Sequence, residues 1–257
     1  MEKKNNGLVI FLTDFGHSHY AGMLHGVVLK YNPNVTTLDL CHNITPFAVV
    51  EASYILSVSY RYFPSGAIFV VVIDPGVGTK RDILITRYKE YTFVAPDNGV
   101  LSPFFAEGKT FKLTDLQGFK NISSTFHGRD IFAPLAGVLS RGESPENLGI
   151  PEENPIKIEW WEPQKIDNQT YQGIILHTDR FGNAITNIPC SYLRNIREIR
   201  IKGVVIRDSF ISFGYAPYNT PFMYCGSSNF IEIALRENNF AKKYNITTLT
   251  PLICVLK

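Results

Sequence analysis

Apolar and polar positions fall into two alternating patterns along the first 140 residues. "LVIFLT" (8–13) and "GAIFVVVI" (66–73) are unbroken apolar runs of the kind that fill strands buried on both faces. Between them, "YAGMLHGVVLKY" places Met23, Leu24, Val27 and Val28 at helical spacing, and "NVTTLDL" reads as another strand. "PFAVVEASYILSVSYRYF" reads as an amphipathic helix with Pro46 at its first position. "DILITR" and "YTFVAP" form a hairpin, "NGVLSPFF" opens a short helix, and "GRDIFAPLAGVLSRG" is a helix bent at Pro134. Strand and helix in turn predict an α/β domain over 1–150 with a mostly parallel sheet, whose ligands sit beyond the carboxyl ends of the strands.

The pattern then changes. "GESPENLGIPEENPIKIEWWEPQ" is rich in proline and glutamate and has no periodicity, so 151–170 reads as a linker, with Trp160 and Trp161 packing part of it down. From Tyr171 onward come short β-rich runs: "YQGIILHT", "NAITNI", "EIRIKGVVI", "SFISF", "FIEIAL" and "PLICVL". They predict an all-β C-terminal domain over 171–257, a small antiparallel sheet or barrel.

Composition narrows the class. With 257 residues, 45% hydrophobic and 19% charged, the chain reads as an ordinary globular protein of two domains. A net charge of +2 leaves no basic footprint for a nucleic acid or a membrane surface. Cys41, Cys190, Cys225 and Cys254 are widely spaced with no CxxC pair, which predicts reduced, buried thiols in a cytoplasmic protein. The opening "MEKKNNGLVIFLTDFG" reads as a first strand rather than a signal peptide, and no stretch is long enough to span a bilayer.

Three polar clusters stand at the ends of elements: "TDFGHSHY" after the first strand, "DPGVGTKR" after "GAIFVVVI", and "TFHGRD" before "IFAPLAGVL". Each has a structural reading of about equal weight. Asp14 suits a helix cap, Asp74 a pair with Arg81 across a turn, His127 a surface position, and Arg129–Asp130 a local ion pair. A parallel sheet would gather all three clusters at one edge, and together they favour a functional site. "DPGVG" lacks the spacing of a phosphate loop and is headed by a carboxylate. His17 and His19 form an i, i+2 pair without an HExxH pattern, so a metal is the weaker reading. In the C-terminal half, "HTDRFGNAITNI" sets Asp179 and Asn183 around Phe181, either a polar binding loop or a plain β-turn. "CGSSNF" offers the hydroxyls of Ser227 and Ser228.

Taken in order, "LTDFG", "HNITPF", "FPSGAIFVVVIDPGVGT", "VAPDNGVLS", "FHGRDIFAPLAGVL", "DRFGNAITNI" and "IEIAL" resemble the S-adenosylmethionine hydroxide adenosyltransferase family, relatives of the fluorinase and chlorinase enzymes. The resemblance implies a homotrimer binding S-adenosylmethionine where one subunit's N-terminal domain meets a neighbour's C-terminal domain. It also implies attack of a water-derived hydroxide on the ribose 5′ carbon, releasing adenosine and L-methionine without metal or other cofactor. On that resemblance Asp74, Arg81 and His127 are the catalytic set, with Asp74 or His127 as base. Asp14 holds the ribose hydroxyls and Phe47 covers the ribose; Phe181 and Asn183 meet the adenine. Asp179 meets the methionine ammonium, and Ser227 and Ser228 its carboxylate. Asp74 and His127 stand where the halogenases carry tyrosines, and a carboxylate there repels a halide. A binding protein with negligible turnover and a halide-using enzyme are the alternatives. The chain departs from the family pattern at "HSHYAG" after "TDFG" and at "RENNFA" after "IEIAL".

Overall fold

Side-chain alternation explains the apolar runs. In the computed structural model, which describes residues 7–114, 119, 121–159 and 162–257, Leu8–Thr13 is strand β1. Its Val9 and Phe11 face one layer of helices, and Ile10 and Leu12 face the other. Both faces of the strand are covered, so its residues are apolar up to Thr13, which is buried at the strand end with its hydroxyl bonded to His42 Nδ1.

The chain divides into two compact units, Met1–Ile158 and Glu159–Lys257. In the first, β1 is joined by β2 (Thr36–Cys41), β3 (Ala67–Val72), β4 (Ile83–Tyr88), β5 (Tyr91–Pro96), β6 (Lys109–Leu113) and β7 (Gly149–Pro151), in the sheet order β2-β1-β3-β5-β4-β6-β7. Strands β2, β1, β3 and β5 are mutually parallel, and β4, β6 and β7 continue the sheet through antiparallel pairings. Helices α1 (His19–Tyr31) and α3 (Ala133–Leu139) cover one face through Leu24, Val28, Leu135 and Ala136. Helix α2 (Val49–Ser59) covers the other through Ala52 and Leu56, beside a stack of Phe69, Phe93 and Phe104. A short helix α4 (Pro145–Leu148) leads into β7, so the start of the expected linker belongs to the sheet.

The helices depart from expectation at three places. Pro46 does not open α2, because Phe47 has a φ of +66° and breaks the helical path before Val49. "NGVLSPFF" supplies only a 3-10 turn at Ser102–Phe104. The bend assigned to Pro134 is a π turn at Gly128–Phe132, where the Ala133 N–H reaches back to the Gly128 carbonyl; Pro134 lies in the first turn of regular α-helix that follows.

The second unit is an eight-stranded antiparallel sheet wrapped barrel-like around its own core. Its strands are β8 (Gln164–Lys165), β9 (Thr170–Thr178), β10 (Ala184–Pro189), β11 (Ile196–Ile201), β12 (Val204–Ile206), β13 (Phe222–Cys225), β14 (Phe230–Ala234) and β15 (Pro251–Leu256). The order is β12-β11-β15-β9-β10-β14-β13, with β8 paired to β9 and helix α5 (Phe240–Tyr244) following β14. "SFISF" forms only an isolated bridge, Ser209 to Met223, and β13 takes the place expected for it. The expected packing of Trp160 and Trp161 lies outside the described residues.

The expectation of four reduced thiols is overturned as well. Cys190 and Cys225 form a disulfide, with Cα atoms 5.3 Å apart across 35 positions, while Cys41 and Cys254 are free. The sheet brings the end of β10 beside the end of β13, a proximity that spacing along the chain does not reveal. Among the described residues no helix is long and apolar enough to cross a membrane.

Candidate functional site

Strand β3 delivers Asp74 just past its carboxyl end, and the loop after it turns back at once. The Val77 N–H bonds the Asp74 carbonyl at 3.2 Å, and the Thr79 N–H and hydroxyl bond the Gly76 carbonyl at 3.1 and 2.7 Å. Gly78 is required in this turn: its φ is +78°, and a Cβ there would lie 2.2 Å from the Ser124 carbonyl oxygen. The turn returns Arg81 onto Asp74. Arg81 Nε donates to both carboxylate oxygens, at 2.9 and 3.0 Å, and Nη2 donates to Oδ2 as well. Both side chains are almost wholly buried, at 9% and 5% exposure, so this pair carries a desolvation penalty that a plain surface turn would not require.

Arg81 does one thing more. Its Nη2 donates to His127 Nδ1 at 2.9 Å, and the Phe132 ring lies 5.4 Å from the guanidinium carbon. A guanidinium has no acceptor, so Nδ1 must accept, and the ring hydrogen of neutral His127 is on Nε2. Partial burial and the Arg81 charge both push the His127 imidazole below its ordinary value, against the opposing charges of Asp74 and Asp130. His127 stands at the head of the π turn, where Gly128 lets the backbone approach β3: a Cβ there would meet Val72 at 3.2 Å and Phe15 at 3.4 Å. Arg129 and Asp130 are the local pair that the sequence allowed, at 2.6 and 2.8 Å, and Asp130 also accepts the Ser123 N–H.

The end of β1 supplies Asp14. The cap position of α1 is Ser18, so Asp14 is no helix cap; its Oδ2 accepts the Phe47 N–H at 2.9 Å. That bond holds Phe47 in its left-handed conformation and leaves the ring 68% exposed. Asp14, Phe47, Asp74 and His127 line one cavity of about 150 Å³, bounded also by Phe15 and Phe126. The parallel sheet has gathered the three polar clusters at one edge.

In the second unit, Asp179 organises its own loop. Its Oδ1 accepts the N–H groups of Phe181 and Asn183 at 2.9 and 2.8 Å, and its Oδ2 accepts the Asn183 amide at 2.8 Å. The loop is thus both a tight turn and a display of Phe181, whose ring is 77% exposed. Phe181 and Asn183 line a larger cavity, about 530 Å³, with Phe213 and Leu235. Arg236 also lines it, with its guanidinium donating to the Gly214 and Ala216 carbonyls at 3.2 and 3.1 Å and lying over the Tyr218 ring. Ser227 and Ser228 lie on the β13–β14 turn, after Cys225 and Gly226, and are not among the residues lining that cavity.

Family models match both units: the SAM hydroxide adenosyltransferase N-terminal domain over residues 9–149, and the C-terminal domain of the same family over 173–253. This chain belongs to the SAM hydroxide adenosyltransferase family. A (R)-S-adenosyl-L-methionine hydrolase of Thermus thermophilus is 32% identical over 245 residues, covering 90% of this chain and 92% of the relative. The hydrolase of the same name from Methanocaldococcus jannaschii is 32% identical over 262 residues, with 94% and 93% covered. The solved structure of an uncharacterized conserved protein from Thermotoga maritima superposes with a TM-score of 0.85 at 31% identity, covering 96% and 99% of the two chains.

Two further features of the candidate site carried no signal in the sequence. Phe15 and Phe126 form an aromatic wall with Tyr20, at centroid separations of 5.0 to 5.8 Å. Phe15 was visible inside "TDFG" but carried no chemical signal. Glu232 was hidden in the apolar run "FIEIAL". Burial raises its carboxyl above the usual range; the Tyr224 hydroxyl bond opposes this, the charge of Asp179 adds to it, and His177 opposes it. Asp179 therefore has a second acid within electrostatic reach.

Proposed function

We propose that this protein hydrolyses S-adenosyl-L-methionine to adenosine and L-methionine by in-line attack of water on the ribose 5′ carbon. The observation that carries the reading is the joining of Asp74 and His127 through one guanidinium at the rim of the cavity that also holds Asp14 and Phe47. The water oxygen forms a bond to C5′ as the C5′–S bond breaks, and the electron pair stays on sulfur. A sulfonium thereby becomes a neutral thioether, and one proton is released. With so good a leaving group, the protein's task is to hold and orient the nucleophile.

Because His127 Nδ1 accepts from Arg81, the ring offers its Nε2–H to the water oxygen, and the Asp74 carboxylate takes the water proton. Asp14, an acceptor-only group, holds the ribose hydroxyls beneath the Phe47 ring. Phe181 and Asn183 take the adenine, while Asp179 with Glu232 attracts the ammonium and Ser227 and Ser228 meet the carboxylate. The carboxylate charge of Asp74 makes a halide an unfavourable nucleophile here.

The cavity beside Asp74 is about 150 Å³, below the roughly 300 Å³ at which small-molecule sites begin. This supports completion of the site by a neighbouring subunit's second unit, in a homotrimer. The reaction is proposed to use neither metal nor other cofactor, and the protein to act in the cytoplasm, with its charged substrate. The relatives' names specify the (R) sulfonium, and we take the same epimer as the substrate.

Purified protein incubated with each separated epimer, with products resolved by chromatography, tests this. Adenosine and methionine in equal amounts are expected, faster from (R). No adenosine above background from either epimer removes the reading, and a monomer by light scattering removes the shared site.

A further inference from the structure

Two imidazoles and a carboxylate converge outside the cavity just described. His25 comes from α1, Asp39 from β2, and His42 from the segment just after β2. His25 Nε2 lies 2.7 Å from Asp39 Oδ1, and His42 Nε2 lies 2.8 Å from the same oxygen. The three ligand atoms are all within 4.8 Å of one another. The remaining ring nitrogens are both engaged: His25 Nδ1 with the Thr37 hydroxyl at 2.8 Å, and His42 Nδ1 with the Thr13 hydroxyl at 2.7 Å. Phe11 meets the His25 ring edge-on, with centroids 4.8 Å apart.

We propose that His25, Asp39 and His42 bind one late first-row divalent metal ion per chain, with zinc as the best match. Three features support the assignment. Each imidazole is oriented by a hydroxyl on its far nitrogen, the arrangement that aims metal-binding histidines. His42 Nε2 is buried 2.8 Å from Asp39 Oδ1 without a well-aligned N–H···O bond, so Asp39 is its one close polar neighbour among the described residues. The donor set is two imidazole nitrogens and one carboxylate, which suits zinc, cobalt or nickel rather than the all-oxygen shells of calcium and magnesium.

Binding requires all three groups to adjust, the two imidazole nitrogens being within 4.8 Å of each other. Tetrahedral zinc with bonds of about 2.0–2.1 Å spaces its ligands roughly 3.3 Å apart. Asp39 must therefore retreat by about half an ångström from each nitrogen, and its side chain, 47% exposed, is free to rotate outward. That open side leaves the fourth position to water.

The site would brace a strand end. His42 also accepts the Gly16 N–H on its carbonyl at 2.7 Å, and the Thr13 hydroxyl accepts the Phe15 N–H at 3.2 Å. A metal held by His42 thus ties β2 and α1 to the segment that carries Asp14. This inference does not rest on the proposed hydrolysis, and no step of that reaction passes through the ion.

The test uses tag-free, full-length protein stripped with a chelator and dialysed. Titration with cobalt, read by visible absorption, and with zinc, read by calorimetry, should saturate at one ion per chain. Zinc should raise the thermal midpoint. His25→Gln and His42→Gln should each weaken binding at least a hundredfold and abolish that rise, while His17→Gln should change neither. Thr37→Val, which removes only the hydroxyl behind His25, should weaken binding about 10- to 100-fold and keeps the test valid if a histidine variant folds poorly. No saturable binding, or affinity unmoved by both His25→Gln and Thr37→Val, overturns the proposal.

Discussion

Arg81 Nη2 donates to His127 Nδ1 across 2.9 Å, and this one contact sets which nitrogen of the imidazole carries hydrogen. Protonation of Nδ1 would place two donors face to face, so neutral His127 is the form that the Asp74–Arg81–His127 arrangement requires.

The pH dependence follows. Burial and the Arg81 charge hold His127 below the ordinary imidazole value of about 6.5. Activity should stay level as pH falls to that value and decline only below it. The linkage has the same sign. Between the unfolded value and the lower folded one, the unfolded chain binds more protons, so this group's contribution to stability is present above about pH 6.5 and is lost as pH falls through the folded value. A pH–rate profile with an acid limb centred above 6.5 would contradict the assignment.

Asp74→Asn should separate chemistry from binding. The amide still accepts from Arg81 but leaves that buried cation without its counter-charge. Turnover should fall by about 10² to 10⁴ with KM changed far less. The melting transition should drop by as much as 3–5 kcal/mol of stability, roughly the cost of breaking a buried pair. Adenosine release and thermal denaturation measure the two effects; undiminished turnover would remove Asp74 as the acceptor of the water proton.

Phe47 carries a conformational cost that a paired substitution exposes. At φ +66°, glycine is unstrained and alanine is not. Phe47→Gly should therefore be about 1 kcal/mol more stable than Phe47→Ala, while both raise KM roughly tenfold by losing the ring. Equal stability of the two variants would mean that the loop relaxes out of the left-handed region.

The cysteines have distinct expected reactivities. Burial pushes the Cys254 thiol up to about 12, so native, unreduced protein should expose Cys41 alone to a thiol reagent. Denaturation without reductant should reveal two thiols, and reduction four. Loss of the Cys190–Cys225 bridge, by Cys225→Ser, should lower stability by about 3 to 4 kcal/mol for a closed loop of 35 positions. Four free thiols in unreduced protein would refute the pairing.

Local pattern was enough to place β1, β3, β9 and β15, because a strand buried on one or both faces must show its apolar period in its own residues. It also put Asp14, Asp74 and His127 at the ends of elements where a parallel sheet gathers side chains, although each taken alone had a structural reading of equal weight. Phe181 and Asn183 were legible in one short loop. What the chain order could not display was convergence across elements. The left-handed turn at Phe47 is held by an acceptor 33 positions away. Cys190 meets Cys225 only because β10, β14 and β13 lie side by side. His25, Asp39 and His42 come together through the packing of α1 on the edge of the sheet. Periodicity reports which face of an element is buried; which side chains then meet is decided by strand order and register, which are properties of the folded molecule alone.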